Sequence, residues 1–124
     1  MTAAIESYSQ RREFVRLPTE IPVRYKFLSK EVEIAEDVVF EGSTSQIGGG
    51  GLMLHGKIPS FNWIPALLMG KIHVGVNLLL PSLDHAIKGL CQVSWIEEIP
   101  ENRDRCTIGL RFTDIEKEDQ DQVM

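Results

Sequence analysis

Between Ile72 and Leu80 the chain alternates strictly: Ile72, Val74, Val76, Leu78 and Leu80 occupy one parity, and His73, Gly75, Asn77 and Leu79 the other, before Pro81 stops the run. A repeat of two gives an extended strand one buried face, and a helix of period 3.6 would scatter the same residues around its circumference. The pattern recurs in Val23-Arg24-Tyr25-Lys26-Phe27, which places Val23, Tyr25 and Phe27 inward and Arg24 and Lys26 outward. Further strands are predicted at Val38 to Ser43, Leu52 to His55, Ala86 to Glu97 and Cys106 to Phe112, the last with Ile108, Leu110 and Phe112 on one face. Six strands joined by turns, with no long helix between them, predict an all-β fold. Closure into a six-stranded antiparallel barrel is favoured because it removes exposed edges from a small sheet.

The connections carry their own signals. Pro18 and Pro22 cannot sit in a helix interior and are expected to deliver the chain into the Val23 strand. Residues 30 to 37 are mostly acidic and predict a hairpin loop or fraying strand ends, and Gly48 to Gly51 predict a tight turn or bulge. Four glycines exceed what a hairpin needs, so close approach of backbone to a ligand is a second reading of them. Residues 57 to 70 hold Pro59, Phe61, Trp63, Pro65, Leu67 and Leu68 without a clean period. They read as a loop over the open end of a barrel, or as a docking surface for a protein partner. Asp114 is expected to cap a short acidic helix, Ile115 to Val123.

With 124 residues, 43% of them apolar and 25% charged, the chain suits one soluble domain rather than two. Residues 1–10 read as a flexible tail and 11–124 as the domain. The densest apolar stretch, Ile64 to Met69, contains Pro65 and is far shorter than the roughly 20 residues of a membrane helix. Residues 1–10 also lack the apolar core of a secretory signal, so no membrane insertion and a cytoplasmic location are expected. Cys91 and Cys106 lack CxxC spacing and read as buried free thiols.

Net charge is −5 but unevenly spread: residues 1 to 30 hold six Lys/Arg against three Asp/Glu, and the remaining 94 hold seven against fifteen. Cations gathered at one end of an acidic body point to a small anionic ligand, whereas DNA or RNA would need a broad basic face. Two segments supply the chemistry. Gln10-Arg11-Arg12-Glu13-Phe14-Val15-Arg16 gathers three guanidiniums, whose planar forks bind phosphate in pairs and stack on aromatic faces. Ser43-Thr44-Ser45-Gln46-Ile47-Gly48 adds hydroxyls that can donate to phosphate or accept from a base edge. Ser43 and Ser45, two apart in a strand, emerge on one face; capping the turn through local backbone bonds is their alternative role.

Arg12-x-x-x-Arg16, Ser43-x-Ser45-x-x-Gly48, and the strand pair ending in Val93-Ser94-Trp95 and Gly109-Leu110-Arg111-Phe112 resemble a PilZ domain over roughly residues 11 to 123. The family pattern is RxxxR followed by [D/N]xSxxG on a six-stranded antiparallel barrel of split-barrel type with a C-terminal helix. Members with both motifs are bacterial receptors for cyclic diguanylate (c-di-GMP), a second messenger of bacterial signalling. The resemblance implies that Arg12 and Arg16 grip the phosphates and stack on guanine from a mobile segment before the first strand. It also implies that Arg11 joins them, at a position linked in the family to one ligand or a stacked pair. Ser45 would contact the ligand and Gly48 would let the backbone turn beside it. Ser43 departs from the pattern, since it stands where the family has Asp or Asn.

The implied activity is a receptor that changes its surface when the arginine segment closes over c-di-GMP, and so acts on a protein partner. The alternative is a PilZ-like interaction module that binds nucleotide weakly or not at all. An enzyme is not expected. His55, His73 and His85 have no ligand spacing and read as surface or strand histidines, Gly42 to Gln46 lacks the closing glycine of a GxSxG elbow, and Gly48 to Gly51 lacks the GK[ST] ending of a P-loop. No metal or cofactor is implied.

Overall fold

The computed structural model describes residues 15–31, 33–34, 38–80, 86–98 and 105–115, the first five through their backbone. Six antiparallel strands form a closed barrel: β1 (Val15–Leu28), β2 (Phe40–Gly48), β3 (Gly51–Gly56), β4 (His73–Leu78), β5 (Ile87–Glu98) and β6 (Cys106–Ile115). Their order around the barrel is β1-β2-β3-β6-β5-β4, closed by the pairing of β1 with β4. The alternating residues behave as their parity requires. Val23, Tyr25 and Phe27 are buried, as are Val74, Val76 and Leu78, and Ile108 and Leu110 meet them in one core. Cys91 and Cys106 lie in that core as free thiols, and burial pushes the Cys91 thiol up to about 12.

Several boundaries differ from the expectation for physical reasons. β1 does not start after the prolines: it runs from Val15 through both, and its register against β2 slips between Arg16 and Ile21, the stretch that holds Pro18. Pro22 lies just before Val23, where the β4 ladder begins, so its missing N–H removes no bond from that ladder. β2 begins at Phe40 rather than Val38, because Tyr25↔Phe40 is the last β1–β2 pair and Val38 and Val39 are exposed beyond it. At the other end β2 continues to Gly48, which pairs with Gly51, leaving Gly49 and Gly50 as the turn.

The connection over 57–70 is not all loop. Ser60 accepts the Asn62 N–H and starts a 3₁₀ turn, Phe61–Trp63, which leads into α1 (Ile64–Leu68) with Pro65 in its first turn. Gly70, at φ +77°, ends it in the left-handed region that glycine tolerates. This segment covers the barrel by inserting Leu67 fully into the core and setting Trp63 edge-on to Phe27 at 5.4 Å. Tyr25 anchors its start: the hydroxyl donates to the Lys57 carbonyl at 2.8 Å and accepts the Lys57 N–H at 2.6 Å. The predicted cap Asp114 and first helical residue Ile115 are instead the last residues of β6, paired with Leu90 and Gly89 of β5. The rest of the expected C-terminal helix, 116–123, lies outside the described residues, as does the expected tail 1–10. The short helix that is described is α1. None of the described helices is long and apolar enough to cross a membrane.

Candidate functional site

Ser45 occupies an unusual place in β2. On the β1 side Arg16 pairs with Gln46 and Ile21 with Thr44, so Leu17, Pro18, Thr19 and Glu20 bulge opposite Ser45 alone. On the β3 side Ser43 pairs with His55 and Gln46 with Met53, so Thr44 and Ser45 together face Leu54. Both ladders beside Ser45 therefore slip at the same residue. Thr44 supports the distortion from inside: fully buried, its hydroxyl donates to the Gln46 carbonyl at 2.9 Å and accepts the Gln46 N–H at 3.4 Å. The local backbone bonding that serines often provide is thus made by threonine, and Ser43 and Ser45 stand half-buried on the outer face.

The Ser45 hydroxyl lies 3.2 Å from His55 Nε2, and His55 Nδ1 lies 3.3 Å from the Thr107 hydroxyl. His55 and Thr107 belong to a row across four strands, Ser43 on β2, His55 on β3, Thr107 on β6 and Glu97 on β5, each registered against the next, and Ser45 reaches the row from the slipped stretch of β2. A second row runs Gln46, Met53, Gly109 and Trp95. A register slip between Val93 and Trp95 accompanies the outward turn of the indole, which lies across Gly109 so closely that a Cβ there would overlap its ring nitrogen. Trp95 remains 40% exposed, a flat aromatic surface on β5, with β3 and β6 between it and the serines' strand.

Of the sequence-predicted residues, Ser43, Ser45 and Gly48 fall on β2, and Arg16 is brought to it by the β1 register. Arg16 therefore belongs to the first strand, a correction to its expected place in a segment preceding that strand. Arg11 and Arg12 lie outside the described residues. Gly48 is buried at the strand end, and the excess of glycine in the turn has a packing cause at Gly51, where a Cβ would overlap the Leu110 carbonyl oxygen. The tight turn expected at Gly48 to Gly51 is present at Gly49 and Gly50, and among the described residues Gly70 alone has a positive φ. His55 is a strand histidine, as its sequence context predicts, but its ring bonds to Ser45 and Thr107 are not readable from that context. Its parity, outward between buried Leu54 and Gly56, was a readable signal, but its registry with Ser43 was not.

On the opposite side, β1, β4 and β5 border an open groove of about 760 Å³ lined by Arg24, Lys26, Asn77, Lys88 and Asp114. Arg24 stands 3.8 Å from Glu41, an exposed pair of little energetic weight. Among the described residues no cluster of His, Cys, Asp and Glu is arranged to hold a metal ion.

The profile of the PilZ domain family matches residues 10–124, nearly the whole chain. This chain belongs to the PilZ domain family. A solved structure, the inhibitor of motility MotI/DgrA of Bacillus subtilis, shares its fold with a TM-score of 0.62 at 20% sequence identity. The alignment covers 92% of this chain and 48% of that one, so this PilZ chain spans about half the length of its structural relative. No curated protein sequence matches the chain. PilZ membership agrees with the closed six-stranded barrel and associates the chain with a family of c-di-GMP receptors and effectors.

Proposed function

We propose that this PilZ domain is a bacterial c-di-GMP receptor, with Arg12 and Arg16 gripping the phosphates, Arg11 assisting, and Ser43, Ser45 and Gly48 forming the β2 side of the site. The observation that carries this reading is the registry of Arg16 with Gln46, which sets the second arginine of RxxxR one residue from Ser45, where both ladders open. Opened ladders leave room and backbone groups for a ligand, and guanidinium forks give each charge-assisted bond about 1.5–3 kcal/mol. Closure of the arginine segment on the nucleotide would change the surface offered to a protein partner in the cytoplasm. The domain works by binding, without catalysis, resident cofactor, nucleic acid or membrane insertion.

Calorimetric titration with c-di-GMP, using GMP and GTP as controls, tests this directly. Saturable and selective binding is expected, and silence at high micromolar c-di-GMP overturns it. That second outcome favours the alternative, an interaction module without nucleotide. Its support is Ser43 in place of Asp or Asn, together with the exposed Phe61, Leu68 and Met69 around α1.

A further inference from the structure

His55 has a donor or acceptor at each ring nitrogen, both supplied by hydroxyls from neighbouring strands: Ser45 at Nε2 and Thr107 at Nδ1. A neutral imidazole carries one N–H, so this chain of hydrogen bonds has two polarities. In one, Thr107 donates to Nδ1, Nε2–H donates to Ser45, and the Ser45 O–H is left to donate outward. In the other, Ser45 donates to Nε2, Nδ1–H donates to Thr107, and Ser45 presents only lone pairs. A phosphodiester anion needs a donor, so the first polarity suits it and the second repels it.

We propose that His55 is a positioning residue for the nucleotide site, holding Ser45 as a donor toward the ligand phosphate, and that protonation of His55 locks this state and tightens binding. The inference rests on the c-di-GMP reading above. An imidazolium donates from both nitrogens, so Ser45 can then only accept from it and must donate outward, and the added positive charge faces an anion. Glu97 of β5 is registered against Thr107, and Arg16 of β1 is registered against Gln46. In the two rows the neighbours of His55 on β2 and β3, Ser43, Gln46 and Met53, are uncharged, whereas exposed Glu41, Lys57 and Arg105 stand two residues along the chain from Ser43, His55 and Thr107, two cations and one anion. His73 is on β4, across the barrel from β3.

The test combines binding with a direct view of the ring. Wild-type protein is expected to bind c-di-GMP about fivefold more tightly at pH 6 than at pH 8, the effect of one strengthened hydrogen bond, because the nucleotide's phosphodiesters stay ionised throughout. His55→Gln, which can donate and accept but cannot gain a proton, should bring that ratio close to one. Thr107→Val removes the donor to Nδ1 and frees the neutral ring to reverse its polarity, so it should lose more affinity at pH 8 than at pH 6. Nitrogen-15 NMR of the ligand-free protein at pH 8 should show the Nε2–H tautomer. An Nδ1–H tautomer, or an unchanged pH ratio in His55→Gln, overturns the role of His55 while leaving c-di-GMP binding intact. Absence of c-di-GMP binding by the wild type at both pH values overturns the receptor reading itself and this role with it.

Discussion

On one side of the barrel Ser43, Ser45, His55 and Thr107 line neighbouring strands, and both ladders of β2 slip at Ser45; on the other, Arg24, Lys26 and Lys88 border a groove across which the β1–β4 and β4–β5 ladders keep their register, with a slip between Leu90 and Cys91 at its β5–β6 edge. Charge alone favours the second face as an anion site. Yet cations there sit at the outward positions of regular half-buried strands, which is where solubility places them in any such sheet. The serine face departs from regular pairing, and a slipped ladder gives up backbone bonds that folding by itself would keep. The difference teaches that an irregularity maintained by a buried threonine is a stronger functional signal than a cluster of exposed charge.

The largest effect that can break this comparison is expected from Arg12→Ala or Arg16→Ala. Each should weaken c-di-GMP binding roughly a hundredfold or more, through loss of bidentate charge-assisted bonds. Calorimetry showing wild-type affinity in both would move the site off the serine face. Next, Gly109→Ala should expel the Trp95 indole from its seat at a cost of about 1–3 kcal/mol, seen as a lower urea midpoint and a change in tryptophan emission; an unaltered midpoint would mean that the indole is loosely held. Ser43→Asp restores the family's acid at this position, and its second oxygen and full charge should tighten binding by up to about 1 kcal/mol, or at least preserve it. A clear loss of affinity would show that Ser43 is not on the guanine side of the ligand. Smallest of all, Lys26→Ala combined with Lys88→Ala should leave nucleotide affinity within about twofold, the residue of long-range attraction screened by salt. A tenfold loss would make the cationic groove the binding face.

The barrel was legible because parity is local. Val23, Tyr25 and Phe27 could be assigned inward from five residues, and Val74, Val76 and Leu78 likewise. The C-terminal boundary was not, because the Asp114 cap signal competes with something no local window contains, the pairing of Asp114 with Leu90 and of Ile115 with Gly89. The prolines misled in the same way. Pro18 marks a break in the ladder rather than the start of the strand, since β2 holds Val15 and Arg16 extended on its far side.

The site divides along the same line. The sequence by itself determined which residue types were present and their parity: guanidiniums four apart, Ser43 and Ser45 on one face, Thr44 on the other, Gly48 at the strand end. Tertiary structure alone decided that Arg16 meets Gln46, that both ladders open at Ser45, and that His55 and Thr107 continue the hydrogen bonding away from it. The reason is physical. Parity follows from the geometry of one extended chain, whereas register is a choice among distant pairings. That choice is fixed only when the buried face of every strand is satisfied at once.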